Sequence, residues 1–321
     1  MEETIIPIDE NIAMFSAYLA NNSRAILSAR FGDGKTFFLE EFKERWKDKY
    51  LFLTLYPVNY QVAENKDVFE YIKRDIILQL LMSTEITLSE NEKKFSFLSH
   101  IEGFLNVHLY EFLIDSVKML AGAFGVIPQE AMQMLSKNIS KFKEFSDKTS
   151  LSESDVVENY IKSFAEQTGT IYEFDPISKL IRQLIIEVKE KTHKEVVLII
   201  EDMDRIDPAH LFRILNIFSA HWDIKDCSED KLRWTHSSNK YAIDKILLVC
   251  HYENIKNIFH HFYGAQTDFN GYIQKFCTTQ PFEYSLRNLV KEWITQHIVS
   301  EFAHYTEVRD TLAEIIVQKY L

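Results

Sequence analysis

Gly32-Asp33-Gly34-Lys35-Thr36 stands between a short apolar run, Arg24 to Ala29 (RAILSA), and a segment that begins FFLEEF. A strand that turns through glycines into GK[ST] and then a helix is an arrangement for holding phosphate. Backbone N–H groups and the helix N-terminus, worth about half a positive charge, point at the anion, and glycines let the backbone approach it. The residues assigned to that cradle are Arg30, Phe31, Gly32, Asp33, Gly34, Lys35, Thr36 and Phe37. Lys35 would reach the β- and γ-phosphates and the Thr36 hydroxyl would take Mg²⁺. The first glycine of G-x-x-x-x-G-K-[ST] is replaced by Ala29, which takes positive φ less freely.

Such a loop calls for a second apolar strand ending in carboxylates. Val196 to Asp207 (VVLIIEDMDRID) supplies one, with Glu201, Asp202, Asp204 and Asp207 inside seven residues. Carboxylates crowded in this way are costly unless a cation faces them, and the carboxyl ends of strands are where open α/β sheets bind ligands. Glu201 is the metal-side candidate and Asp202 the water-orienting one, and the one-methylene difference allows the two roles to be exchanged. Arg205 pairs more naturally with Asp204 than with a nucleotide. His251, at the end of another apolar run, is placed to sense the γ-phosphate or the attacking water.

Elements must hold these residues in one place. Tyr50 to Leu55, Glu195 to Ile200 and Lys245 to Cys250 are continuous apolar runs beside polar turns, and with Arg24 to Ala29 they read as buried parallel strands. Phe276 to Phe282 is the fifth candidate, where Pro281 favours an edge or a strand end. Helices are expected at about 9–21, 36–47, 66–84, 92–120, 127–145, 152–167, 252–262 and 285–319. Asp175-Pro176 and Asp207-Pro208 start two more, each with an N-cap followed by proline at the first helical position. Strands alternating with helices imply an α/β domain with a parallel sheet. About 140 residues separate the second and third strands, far more than one crossover needs. The core is therefore expected over 1–85 and 171–285, with a helical insertion at 86–170 and a C-terminal helical segment at 286–321. Ser146 to Asp155 is the most linker-like stretch, and the aromatics of 95–112 read as the heart of the insertion.

The whole-chain numbers narrow the function classes. The 321 residues carry a formal charge of −12 with 46% apolar residues, which excludes disordered and disulfide-framework chains. That charge argues against a surface that clings to nucleic acid as a whole. A local basic stretch, Lys231 to Lys240 (KLRWTHSSNK) with Trp234, reads as a solvated loop before it reads as a nucleic-acid contact. Cys227, Cys250 and Cys277 have neither disulfide nor metal-ligand spacing and point to a reducing cytoplasm. His260-His261 point about 100° apart on a helix and complete no metal site. The N-terminus shows no secretory signal. The most membrane-like region, 101–128, is broken by Glu102, Glu111, Asp115 and Lys118, so no membrane span is expected.

With these residues in view, Ile199 to Pro208 (IIEDMDRIDP) resembles the hhhDDLDR turn of the KAP family of P-loop NTPases. KILLVCHYENI is similar to that family's strand with a polar end before a helix, and GYIQKFCTTQPFEYSL to its Tyr-Leu-x-Lys-Ile segment leading to a final strand. The resemblance covers roughly 8–85 and 172–285. It implies a five-stranded sheet of order 5-1-4-3-2, ATP with Mg²⁺ as ligand, and nucleotide-dependent switching. Three positions depart from the family pattern: Ala29 for glycine, Glu201 for the first aspartate, and His251 where the family usually places aspartate. Family members often carry membrane helices after the second strand; the insertion here is too charged for that.

The function these features favour is an ATPase switch that works by positioning and electrostatic stabilisation and signals to a partner protein or to another subunit. The resemblance adds bacterial antiphage defence as a setting. The rival readings are a catalytically weak P-loop scaffold, favoured by the three departures, and a nucleic-acid-stimulated ATPase.

Overall fold

The apolar runs pair because each is too hydrophobic to face water and too short to bury itself alone. In the computed structural model, which describes residues 7–60, 68–83, 176–222, 241–277 and 279–301, they form a parallel five-stranded sheet within an α/β fold. The strands are β1 (Arg24–Ser28), β2 (Tyr50–Leu55), β3 (Glu195–Ile200), β4 (Lys245–Cys250) and β5 (Phe282–Glu283). Their order is β2-β3-β4-β1-β5, which read from the opposite edge is 5-1-4-3-2. The expected insertion helices, the aromatics of 95–112, Asp175, the Lys231–Lys240 stretch and everything after Glu301 lie outside the described residues.

Two compact units divide the chain. The first takes its described residues from 1–48, 200–204 and 245–321. Here β1 runs parallel to β4 in a register that pairs Arg24 with Ile246 and Ser28 with Cys250, and it pairs with β5 through Leu27–Phe282 and Ser28–Glu283. Helix α1 (Asp9–Asn21) and helix α2 (Lys35–Trp46) meet through aromatic rings. Phe15 sits at the centre, 4.8 Å from the Phe42 ring, 5.4 Å from Phe38 and 5.1 Å from Phe282. These three ring contacts remove apolar surface from water, at about 2 kcal/mol for each fully buried ring. Phe15, Phe38 and Phe42 are each fully buried.

The fifth strand is shorter and later than its sequence suggested. Before β5 the chain is tied to its neighbours by side-chain bonds instead of a ladder: Arg24 donates to the Lys275 carbonyl at 2.9 Å, the Cys277 thiol to the Arg24 carbonyl at 3.2 Å, and the Tyr18 hydroxyl of α1 to the Gln280 carbonyl at 3.0 Å. Pro281 has no N–H to offer a neighbour, so pairing starts only at Phe282.

The second unit takes its described residues from 49–199 and 205–244. It contains β2, all of β3 but its last residue, and helices α3 (Val68–Met82), α4 (Pro176–Thr192) and α5 (Pro208–Trp222). The Gln79 amide of α3 acts as a substitute strand for β2, accepting from the Thr54 N–H at 2.8 Å and donating to the Thr54 carbonyl at 2.7 Å. Asp244 fixes the entry to β3: its carboxylate accepts from the Val196 N–H at 2.8 Å and from the Lys189 amine at 2.6 Å. Asp207 caps α5 as expected, accepting from the Ala209 N–H at 2.8 Å.

The remaining helices of the first unit are α6 (Tyr252–Tyr263), α7 (Phe269–Ile273) and α8 (Leu286–Glu301). Among the described residues, no helix is long and apolar enough to cross a membrane.

Candidate functional site

The loop leaves β1 at Ala29, whose N–H still donates to the Cys250 carbonyl at 3.0 Å, so the ladder carries it to the edge of the glycine turn. Ala29 is buried and is absent from the residues with positive φ; Gly32 (φ 83°) and Gly34 (φ 74°) are the loop positions that use it. The alanine therefore sits where no glycine is needed. An Arg30 carbonyl accepts from the Asp33 N–H at 3.2 Å, which closes the turn, and Gly34 becomes the residue that caps α2. No side chain caps that helix. Its first N–H groups are left for another acceptor.

Lys35 is folded back on the loop, donating from Nζ to the Ala29 carbonyl at 3.1 Å. Thr36 follows it in the first turn and is exposed. Phe31 at the loop tip is 82% exposed and Phe37 53%.

Glu201 and Asp202 separate at the end of β3. Glu201 is buried and faces α2, the helix opened by Lys35 and Thr36, where Lys43 lies 3.7 Å away. Burial pushes its carboxyl above the ordinary carboxylate range; the Lys43 charge opposes this, and the Asp202 and Glu40 charges add to it. Asp202 takes a left-handed backbone conformation, φ 52°, tolerated best by Asp and Asn, and is only half-buried. The acids thus have different surroundings.

Asp204, assigned no catalytic role from the sequence, follows the same strand end. One oxygen accepts from the Asn254 amide at 3.3 Å, and the other is buried with no hydrogen-bond partner. Lys35 of the loop, Asp204 beyond β3 and Glu283 of β5 all act electrostatically on Cys250 at the end of β4. Burial drives the Cys250 thiol far above its usual value, which makes it inert packing.

His251 caps α6 in an extended conformation, without a side-chain cap bond. The next N–H, of Tyr252, donates to the Ser28 hydroxyl at 3.3 Å and ties this corner to β1. His251 lines a cavity of about 680 Å³ with Arg30, Gly32 and Asp33 of the loop. The far wall comes from Tyr284 and the first turns of α8, which sequence reasoning missed. Nothing local in the sequence ties Tyr284 to a loop some 250 residues earlier; only its place just after β5, the strand beside β1, does so.

Among the described residues, no three His, Cys, Asp or Glu side chains converge as a metal cage. Mg²⁺ does not require one, because it is commonly held by one or two carboxylates with water and substrate phosphates. The buried Glu201 and the unpartnered oxygen of Asp204 fit a cation in this region. No protein-family model matches the chain, and comparison with curated proteins gives no match.

Proposed function

We propose that the chain is an ATP-binding, ATP-hydrolysing switch of the KAP P-loop type that signals nucleotide state to a partner protein or to another copy. The observation that carries this reading is Gly34: at positive φ, directly after β1, it opens α2 without a side-chain cap while Lys35 rests on the loop's own carbonyl. A loop of that form has donors to spare for phosphate, and the strand order of the sheet supports the same assignment.

In this reading Lys35 leaves the Ala29 carbonyl and turns to the β- and γ-phosphates. Thr36 and Glu201 would hold Mg²⁺, which would supply charge neutralisation at the phosphates. Asp202 orients the attacking water, and His251 senses the γ-phosphate from the end of β4. Nothing covalent is asked of the protein, only positioning and electrostatics. Bacterial antiphage defence is the setting the family resemblance suggests.

The Lys43–Glu201 pair favours a second reading, a catalytically weak scaffold, since an acid already facing a lysine needs a metal less. Mg-ATP turnover by wild type and by Lys35→Ala separates the two. A rate that drops at least a hundredfold in the variant supports the switch, and equal residual rates remove the enzyme reading.

A further inference from the structure

We propose that Tyr284 is a ligand-contacting residue of this loop, its hydroxyl donating a hydrogen bond to a phosphate oxygen of the bound nucleotide. The proposal rests on the nucleotide reading above and adds a residue from the opposite side of the cavity. Tyr284 is 2% exposed, and its hydroxyl is buried with no hydrogen-bond partner. Leaving such a group unsatisfied is unfavourable, and a phenylalanine would fill the same ring space without that cost.

The rest of the residue is held firmly. Its N–H donates to the Ser28 carbonyl at 2.8 Å, continuing the β1–β5 pairing, and its ring stacks on Phe38 of α2 at 4.2 Å. The hydroxyl is thereby delivered to the loop: a Cβ built on Gly34 would lie 4.0 Å from it and 3.3 Å from the Leu286 side chain. The same residue lines the cavity that the loop opens onto. Burial, with the Asp33 charge as a smaller contribution, keeps the phenol protonated and so a donor at any physiological pH.

Gly34 belongs to the part of the loop whose backbone faces phosphate, which selects a phosphate oxygen over a ribose hydroxyl as the acceptor. In the structure Lys35 satisfies itself on Ala29. In the nucleotide reading phosphate takes Lys35 from that carbonyl, and the Tyr284 hydroxyl gains its acceptor at the same loop.

The test is calorimetric titration of wild type and Tyr284→Phe with Mg-ATP and, separately, with inorganic triphosphate. We expect roughly tenfold weaker binding of both ligands by the variant, the loss of one hydrogen bond to a charged acceptor. The ligand-free variant should melt at the wild-type temperature or above it, because an unpaired hydroxyl has been removed. Wild type that binds while Tyr284→Phe binds equally well overturns the proposal and leaves the nucleotide reading standing. Weakening confined to ATP overturns the phosphate assignment in favour of ribose. Wild type that binds neither ligand overturns both readings.

Discussion

Glu201, at the end of β3, lies 3.7 Å from Lys43 on α2, and Lys43 lies 3.5 Å from Glu40 on the same helix. The lysine is 18% exposed and the Glu201 side chain 7%, so the two ends of the pair stand in different dielectrics. Lys43 can reach water if its partner is lost, and Glu201 cannot. Removing the lysine is then the costly change.

Lys43→Met should therefore lose about 2 kcal/mol of stability, while Glu201→Gln should lose little or none. The double variant should recover most of the Lys43→Met loss, since it no longer buries an unpaired carboxylate. Urea denaturation of the four proteins checks this, and additive losses would show that the pair does not interact.

The same carboxylate sets a pH dependence. Its folded-state value is raised by burial above the ordinary 4.5, so the folded chain holds this proton to higher pH than the unfolded chain does. Between 4.5 and that raised value the folded state binds more protons, and stability falls as pH rises through the window. Comparing ligand-free wild type with Glu201→Gln isolates the contribution. The variant should lack this downward slope; parallel stability profiles would mean that Glu201 titrates alike in both states.

Most of the sheet was legible because its signal is local. β2, β3 and β4 begin and end where their apolar runs do, since a buried parallel strand needs nothing but apolar residues between polar turns. Two elements were not legible. β5 is only Phe282–Glu283, because bonds from Arg24, Cys277 and Tyr18 stand in place of a ladder before it. α7 escaped because Gly271 lies inside it; the signal available was Asp268, whose carboxylate accepts from the Gly271 N–H at 3.0 Å. In the candidate site the loop and the acids stood out by residue type. Lys43 and Tyr284 did not: a lysine within an amphipathic helix and a tyrosine after a strand look ordinary until the fold sets them against Glu201 and Gly34.

The two small residues at the ends of the loop should respond in opposite ways. Ala29 is buried and does not use positive φ, so Ala29→Gly should bring no gain in nucleotide affinity and should cost about 1 kcal/mol through lost packing and a freer unfolded chain. Gly34 sits at φ 74°, where an added Cβ would also meet Leu286 at 3.3 Å. Gly34→Ala should cost about 1–2 kcal/mol from backbone strain, and more if Leu286 cannot yield. It should also abolish Mg-ATP binding, because it reshapes the turn that presents the first N–H groups of α2. Thermal melts with and without Mg-ATP read both effects at once. If Ala29→Gly binds more tightly than wild type, the alanine is a handicap to the loop; if Gly34→Ala binds normally, the left-handed turn at the head of α2 has no part in holding phosphate.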